Sequence, residues 1–400
     1  MGFLKMKKTL AALAVLGAFA GSAAAADVTL YGVLDQALSY TYKDVKGFDG
    51  VKTVDGQNTF EMASGINAGS RFGLKGVEEL GNGYKVGFKL ENGFNGDDGT
   101  LSSANRLFHR EAALTVYGPY GELAFGRMGG IGSAAGTYDL VAYYDAFDGG
   151  DNKVFGFNAS DRYDNMVTYA TPRIAGLQAV AQYSFKTDSK SETGTEGEST
   201  AERYASFGVT GEYGPAQFVV GYELTKYSTL ERLDTPDLDD GQLVFVGGNY
   251  DFGVAKLFIG AQYFDGAQSA TAYDLDQLSE DVYGKDSNVF RSQKGFKGYG
   301  VHLGTIAPLG EGELTVGAYY VNAKLQDAYT HTTGNKDYAL GDIDTDYLGL
   351  AARYCYPLSK RTTVYVGGGY AEATMDAYKD AVGERKDKVG NAYLGLTHTF

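Results

Sequence analysis

From residue 28 to residue 400 apolar residues recur at every second position, in runs joined alternately by very short and by long polar connections. Side chains of a strand change face at each residue, whereas a helix would need a period near 3.6, so the pattern dictates extended strands with one apolar face. The last run shows it most plainly. Ala392, Leu394, Leu396, His398 and Phe400 alternate with Tyr393, Gly395, Thr397 and Thr399, and the sequence stops on that aromatic residue. An unprotected edge strand of this kind invites pairing with other chains. A sheet closed on itself, its last strand zipped to its first, has no such edge.

Taken in order, residues 28–35 form a first strand, with Val28, Leu30, Gly32 and Leu34 on one face. Residues 70–94 follow as a hairpin: Phe72 and Leu74 precede a turn at 78–83, and Tyr84, Val86, Phe88 and Leu90 resume the alternation after it. Further hairpins are expected at 108–127, 162–185, 203–226, 242–265, 295–325 and 346–374, with a last strand at 389–400. The long connections are 42–60, 95–107, 128–161, 186–201, 227–241, 266–294, 326–342 and 375–388. A soluble β-sandwich would also alternate, but nothing would make its connections alternate short and long over the whole chain. The fold class is therefore all-β: a 16-stranded antiparallel transmembrane β-barrel with short periplasmic turns and long extracellular loops. No domain boundary interrupts residues 27–400.

Residues 1–26 stand apart. Lys5, Lys7 and Lys8 precede a short apolar run and then small residues, the pattern of a secretory signal peptide, too short in its core to span a bilayer. Beyond it lies no long apolar run. The 57 Gly, 32 Tyr and 22 Phe, with only 6 Pro, suit strands that face lipid on one side and water on the other, with aromatic girdles at both interfaces. A formal charge of −15, more negative still without the leader lysines, excludes a basic nucleic-acid-binding domain. Cys355 is the sole cysteine, so no internal disulfide forms.

The remaining residues bring few chemistry-bearing groups together. His109, His302, His331 and His398 lie near no Cys and at no metal-ligand spacing, and nothing local supports a Ser–His or Asp–His hydrolase pair assembled from distant strands. Gly247-Gly248 and Gly367-Gly368-Gly369 sit inside strands with no helix following, so they are sites of close approach or bending rather than phosphate loops. Asp342, Asp344 and Asp346 share one face near an outer loop, read as a solvated acidic mouth, with divalent-cation binding as the alternative. No catalytic residue, cofactor or metal site is expected.

Several stretches resemble a known family. Tyr356-Pro357-Leu358-Ser359-Lys360-Arg361-Thr362 with Val364-Tyr365, the ending Leu394-Gly395-Leu396-Thr397-His398-Thr399-Phe400, the hairpin from Ser70-Arg71 to Gly93-Phe94, and Phe125-Gly126-Arg127 are similar to segments of the general porins of beta-proteobacterial outer membranes. The resemblance implies a passive diffusion channel in the Gram-negative outer membrane, a homotrimer with one pore per subunit, and an inward-folded constriction loop at 128–161. It also implies contact with outer-membrane lipid and lipopolysaccharide. The terminal strand, through Leu394, Leu396, His398 and Phe400, would be the signal read by the barrel-assembly machinery. A channel selective for organic acids or sugars, and a plugged adhesin barrel, are the alternatives.

Parity supplies the expected pore lining. Arg71, Lys75, Lys85 and Lys89 fall opposite the apolar face of the second hairpin, and Arg162 falls opposite Val167 and Tyr169, so all five should face water. A tilted strand climbs roughly 2.6 Å per residue, which puts Lys75 and Lys85 near the periplasmic turn, Lys89 at mid-height, and Arg71 and Arg162 toward the outer rim. Asp139, Asp145, Asp148 and Asp151 of the inserted loop should oppose this basic wall. Opposed charges partly cancel, so only weak charge selectivity is expected, of unassigned sign.

Overall fold

The computed structural model describes residues 28–47, 52–134, 136–154, 156, 160–230, 239–270, 273–274, 289–331, 338–377 and 383–400. The proposed leader and His331's side chain lie outside the described residues, as do parts of the outer connections. The chain winds into one closed antiparallel wall of sixteen staves. They are β1 (Thr29–Lys46), β2 (Lys52–Ser64, resuming as Arg71–Gly81), β3 (Tyr84–Gly93), β4 (Glu111–Gly118), β5 (Gly121–Gly129) and β6 (Arg162–Ala170). β7 (Leu177–Ser184), β8 (Arg203–Tyr213), β9 (Ala216–Lys226), β10 (Gly241–Asp251) and β11 (Lys256–Ala267) continue the wall. β12 (Phe296–Leu309), β13 (Gly312–His331), β14 (Tyr338–Ser359), β15 (Thr362–Ala377) and β16 (Gly383–Thr399) complete it, and a stub at Val289–Arg291 pairs with the outer end of β13.

Closure is made by β16 lying against β1, in unbroken register from Val33 opposite Thr399 to Lys46 opposite Lys386. Phe400 extends the seam: its N–H donates to Gly32 O and its carbonyl accepts from Gly32 N–H, both at 3.0 Å. Behind the seam the Asp35 carboxyl is fully buried and accepts from Tyr365 OH at 2.7 Å, from Thr397 Oγ1 and from the Asn67 N–H at 3.4 Å. First, penultimate and last staves are thus joined by side chains as well as by the ladder.

The wall is inside out relative to a soluble protein. Leu30 is 54% exposed, Ile259 65% and Leu303 62%, while Thr168 and Ser184 are fully buried. Apolar residues cover about the same face on every stave, as lipid contact requires. Exposed aromatics collect at the two ends of this band: Tyr84, Tyr120, Tyr213, Tyr250 and Phe252 near the short turns, and Tyr222, Tyr263, Tyr299, Tyr320 and Tyr370 toward the long-loop end. No described helix is long and apolar enough to cross a membrane.

Several segments expected as loops are strand. β1 runs on to Lys46 and β2 begins at Lys52, so most of 42–60 is hairpin; β13 reaches His331, β14 starts at Tyr338, β15 reaches Ala377 and β16 starts at Gly383. Above the membrane both faces of a strand meet water, so the ladder continues after the apolar alternation has ended. The wall is consequently uneven. The 22 residues of β14 rise roughly 55 Å, against a lipid-facing band of ~25 Å, while the eight of β4 and of β7 rise only about 20 Å.

β2 carries one irregularity that shapes the interior. Its first part pairs with the upper half of β1, Gln36 opposite Ser64, and its second with the lower end, Val33 opposite Arg71. Between them residues 65–70 leave the wall, starting at Gly65 with φ 78°, and turn inward so that Ile66 packs against the buried Ala37, Tyr365 and Tyr393 cluster. The opening is covered from outside, where Gly96 N–H donates to Ser64 Oγ at 2.8 Å.

Candidate functional site

The interior is divided by the segment between β5 and β6, which folds into the barrel instead of over it. One face of this segment is apolar: Ile131, Leu140, Val141, Tyr144, Phe147 and Val154 are all buried against the wall. The wall is cut back to receive it. Glycine stands under the loop on seven staves: Gly208 beneath Leu140, Gly247 and Gly260 beneath Tyr144, Gly304 beneath Ala146, Gly317 beneath Phe147, and Gly349 and Gly369 beneath Val154. A Cβ at Gly247 or Gly260 would lie 2.4 Å from Tyr144 atoms, so the close approach needs the missing side chain. Two of the glycines singled out in sequence, Gly247 and Gly369, thus belong to the loop's seat.

Polar anchors hold the loop along the same track. Gly132 N–H donates to Glu223 Oε1 at 2.9 Å, Asn249 Nδ2 to the Tyr143 carbonyl at 2.8 Å, and Tyr319 OH to Asp145 Oδ1 at 2.8 Å. His302 Nε2 accepts from the Ala146 N–H at 3.3 Å. Arg353 Nη1 reaches Asp151 Oδ1 at 3.1 Å, and Tyr393 OH donates to Asp151 Oδ2. The loop therefore hugs β8–β16 and, apart from Thr137 Oγ1, which donates to Glu111 Oε1 at 2.5 Å and accepts from Lys89 Nζ at 3.4 Å, leaves β1–β4 as the open side of the interior.

This alters the role expected for the loop carboxylates. Asp145 is 2% exposed and also caps its own turn through the Phe147 and Gly149 N–H groups; Asp151 is 1% exposed and is committed to Arg353 and Tyr393. Both face the wall behind the loop rather than a basic wall across the pore. A carboxylate carried into the barrel is most stable where fixed donors meet it, and those donors stand on β13, β14 and β16. Asp139 and Asp148 lie nearer the channel, Asp148 exposed to it and Asp139 half-buried. They form a coupled pair. Burial first, then the charge of Asp148, pushes the Asp139 carboxyl up to about 9.

On the open side Arg71, Lys75 and Lys89 face inward, as parity requires. Lys89 Nζ pairs with Glu111 Oε2 at 2.7 Å, and Lys75 Nζ stands 5.2 Å over the Tyr31 ring. Arg71 sits at mid-height, not toward the outer rim, because β2 resumes above it at Ser64. Its Nη1 donates to Gly69 O of the inward turn at 2.9 Å, and its Nε lies 3.9 Å from Glu91 Oε2. Arg110, which alternation alone assigns to the outer face, precedes β4 and turns in, with its Nε 2.6 Å from Glu91 Oε1. Glu111 was legible by parity with Ala113 and Thr115; Arg110 was not, because alternation stops where the strand does.

Arg162 reaches this region by another route than expected. Asn165 has φ 49°, and the register slips between Gly126 and Met128 on the facing stave. This bulge reverses the alternation, so Tyr163 points in, 4.4 Å from the Tyr204 ring. Arg162, at the rim of this low part of the wall, feels Arg110, Asp161 and Arg127 as neighbouring charges. His109, in the connection before β4, reports the local field. Burial first, then Arg162, Arg110 and Arg127, pushes its imidazole down to about 4, so it stays neutral among arginines. Lys85 pairs with Glu79 at 2.6 Å beside the short turn, well below the constriction. Asp342 and Asp346 are taken up by Lys324 at 2.5 Å and by Tyr320 OH at 2.8 Å, and the described residues contain no cluster of three metal-ligating side chains.

An inside-out barrel with a polar, loop-narrowed interior defines a membrane channel for hydrophilic solutes. The family model described as Gram-negative porin matches residues 11–376. An outer membrane porin protein of Bordetella pertussis is 34% identical over 99% of this chain and 100% of that one, and outer membrane porin protein 32 of Delftia acidovorans is 31% identical over 90% and 88%. Among solved structures, an anion-selective porin from Comamonas acidovorans superposes with a TM-score of 0.61 at 24% identity, over 94% of this chain and all of that one. The chain belongs to the Gram-negative porin family: it is an outer-membrane channel for passive diffusion of ions and small hydrophilic solutes.

Two outcomes test the site. Gly260→Leu removes the space beneath Tyr144 and should lift the loop, raising single-channel conductance and the size of polymer that enters the pore. Unchanged conductance in a folded variant would show that the loop does not set the narrowest section. Second, a carboxyl raised above its ordinary value favours the seated loop at low pH, and that contribution fades as pH climbs from about 4 through about 9. Between about pH 7 and about pH 10, the zero-current potential should move toward cation preference and the open-channel noise should rise. Asp139→Asn should remove much of both changes; identical titrations of the two proteins would contradict this.

Proposed function

We propose that this porin passes both signs of small ion with a weak preference for anions. The disposition of the loop carboxylates carries the proposal. Asp151 is paired with Arg353, Asp145 is buried against the wall behind the loop, and Asp139 and Asp148 hold a proton between them. The open side then presents Arg71, Lys75, Lys89, Arg110 and Arg162, opposed chiefly by Glu91 and Glu111. Charges in a water-filled passage are screened over ~10 Å at ~0.1 M salt, a distance comparable to the passage itself, so the preference is modest. No reaction forms part of this function. The inward tyrosines Tyr144, Tyr319, Tyr365 and Tyr393 are buried behind or beside the loop, which argues against an aromatic track for sugars.

The family resemblance further implies a homotrimer, removal of residues 1–26 on export, and delivery of the terminal strand, through Leu394, Leu396, His398 and Phe400, to the barrel-assembly machinery. Leu394, Leu396 and Phe400 are exposed on the outer face, where such a reader would meet them. Lys226, Lys297, Lys324 and Lys386, each beside an acidic partner above the upper aromatic band, lie where lipopolysaccharide headgroups would sit.

Under a salt gradient across a planar bilayer, Arg71→Glu should move the zero-current potential toward cation preference. An unchanged potential with conductance intact would place Arg71 away from the narrow section. On detergent gels the unheated protein should run as a trimer and collapse to monomer on boiling, and Phe400→Ser should lower the folded trimer while export across the inner membrane persists. Monomer without heating would remove the trimer, and normal folded levels in the variant would remove the assembly role of Phe400.

A further inference from the structure

Inside the upper barrel, beyond the base of the inner loop, lies a cavity of about 440 Å³ between β5–β6 and β9–β11. It is set to one side of the passage along Arg71 and Lys89, and charges of both signs line it, among them Asp161 beside Arg162, Asp188, which is paired with Arg106, and Glu202. At one end stands Arg162. Among the described residues its guanidinium makes no hydrogen bond or ion pair, whereas neighbouring Arg127 is held by His109 O and Asp164 Oδ1, both at 2.7 Å. At the other end stand Glu192, from the connection after β7, and Glu223 of β9. Glu192 accepts from Thr187 Oγ1 at 2.8 Å and from the Glu202 N–H at 3.1 Å; Glu223 accepts from Gly132 N–H and Tyr204 OH. These donors are all neutral. They fix the two carboxylates in place; Glu223 is buried beneath the cavity surface, Glu192 is only partly buried, and no lysine or arginine among the described residues is within ion-pair distance of either.

Three interstrand steps separate β6 from β9, roughly 14 Å along the wall and less across the cavity. A simple anion drawn to Arg162 would meet the field of Glu192, and a simple cation drawn to Glu192 would meet that of Arg162. A solute carrying both charges a few bonds apart satisfies both ends at once. We propose that this cavity is a subsite for zwitterionic solutes, amino acids and short peptides, with the carboxylate toward Arg162 and the ammonium toward Glu192. The proposal rests on the channel function given above and adds a solute class to it.

The test uses the whole protein in planar bilayers, with L-alanyl-L-alanine, its N-acetyl derivative and its carboxamide as probes. The dipeptide should interrupt the KCl current in a saturable way. Each derivative, lacking one charged end, should do so about tenfold less effectively, and Arg162→Gln should weaken the dipeptide's effect by about tenfold. Glu192→Gln, in a connecting segment and outside the barrel ladder, should weaken it in the same direction. Equal interruption by all three probes, or none in a channel that conducts KCl normally, overturns the subsite and leaves the channel function standing. A protein that opens no channel overturns both.

Discussion

Hydrocarbon offers no partner to a backbone N–H or C=O, and the architecture follows from that constraint. A β-sheet can cross a membrane only when its ladder closes, because an open edge would leave a row of polar groups in lipid, each costing several kcal/mol. The β1–β16 seam is where this chain meets the requirement, and the polar groups massed there are the corollary. Asp35, Tyr365, Thr397 and Asn67 lie on the water-facing side of the seam and cross-link it where side chains can be polar. Closure also fixes what the interior can be: a column lined by alternate residues, available to water and to whatever the chain folds into it.

What it folds into that column is one connection, and the fit is made by subtraction. Loop side chains from Leu140 to Val154 occupy room that the wall vacates through glycine on β8 and β10–β15. The seat decides the electrostatics as well. Once the apolar face of the loop is pressed to the wall, its carboxylates must find donors there, and Tyr319, Arg353 and Tyr393 supply them. The basic residues of β2–β4 are left facing water with less opposition than the sequence suggests.

The hairpins, their order and the outward apolar face were legible in the sequence because lipid contact imposes a period of two on every stave. The outer ends of β13–β16 were not, since above the membrane both faces are wetted and the period disappears while the hydrogen bonds persist. Two local devices were also invisible to the alternation. The inward turn at 65–70 lets β2 continue above Arg71 and so places that residue at mid-height, and the bulge at Asn165 turns Tyr163 inward and leaves Arg162 at the rim. The direction of the loop carboxylates could not be read at all, because it depends on partners between 174 and 242 residues further along the chain and no local pattern encodes that pairing.

The account centres on an ion path that runs between a wall-seated loop and the basic face of β2–β4. Diffraction from crystals soaked in iodide, located by its anomalous scattering, tests this directly. The account predicts ordered iodide in the lumen beside Arg71, Arg110 and Arg162, with the loop still lying on Gly247, Gly260 and Gly369. Iodide confined to the outer surface, or a loop standing away from that glycine track, would contradict it.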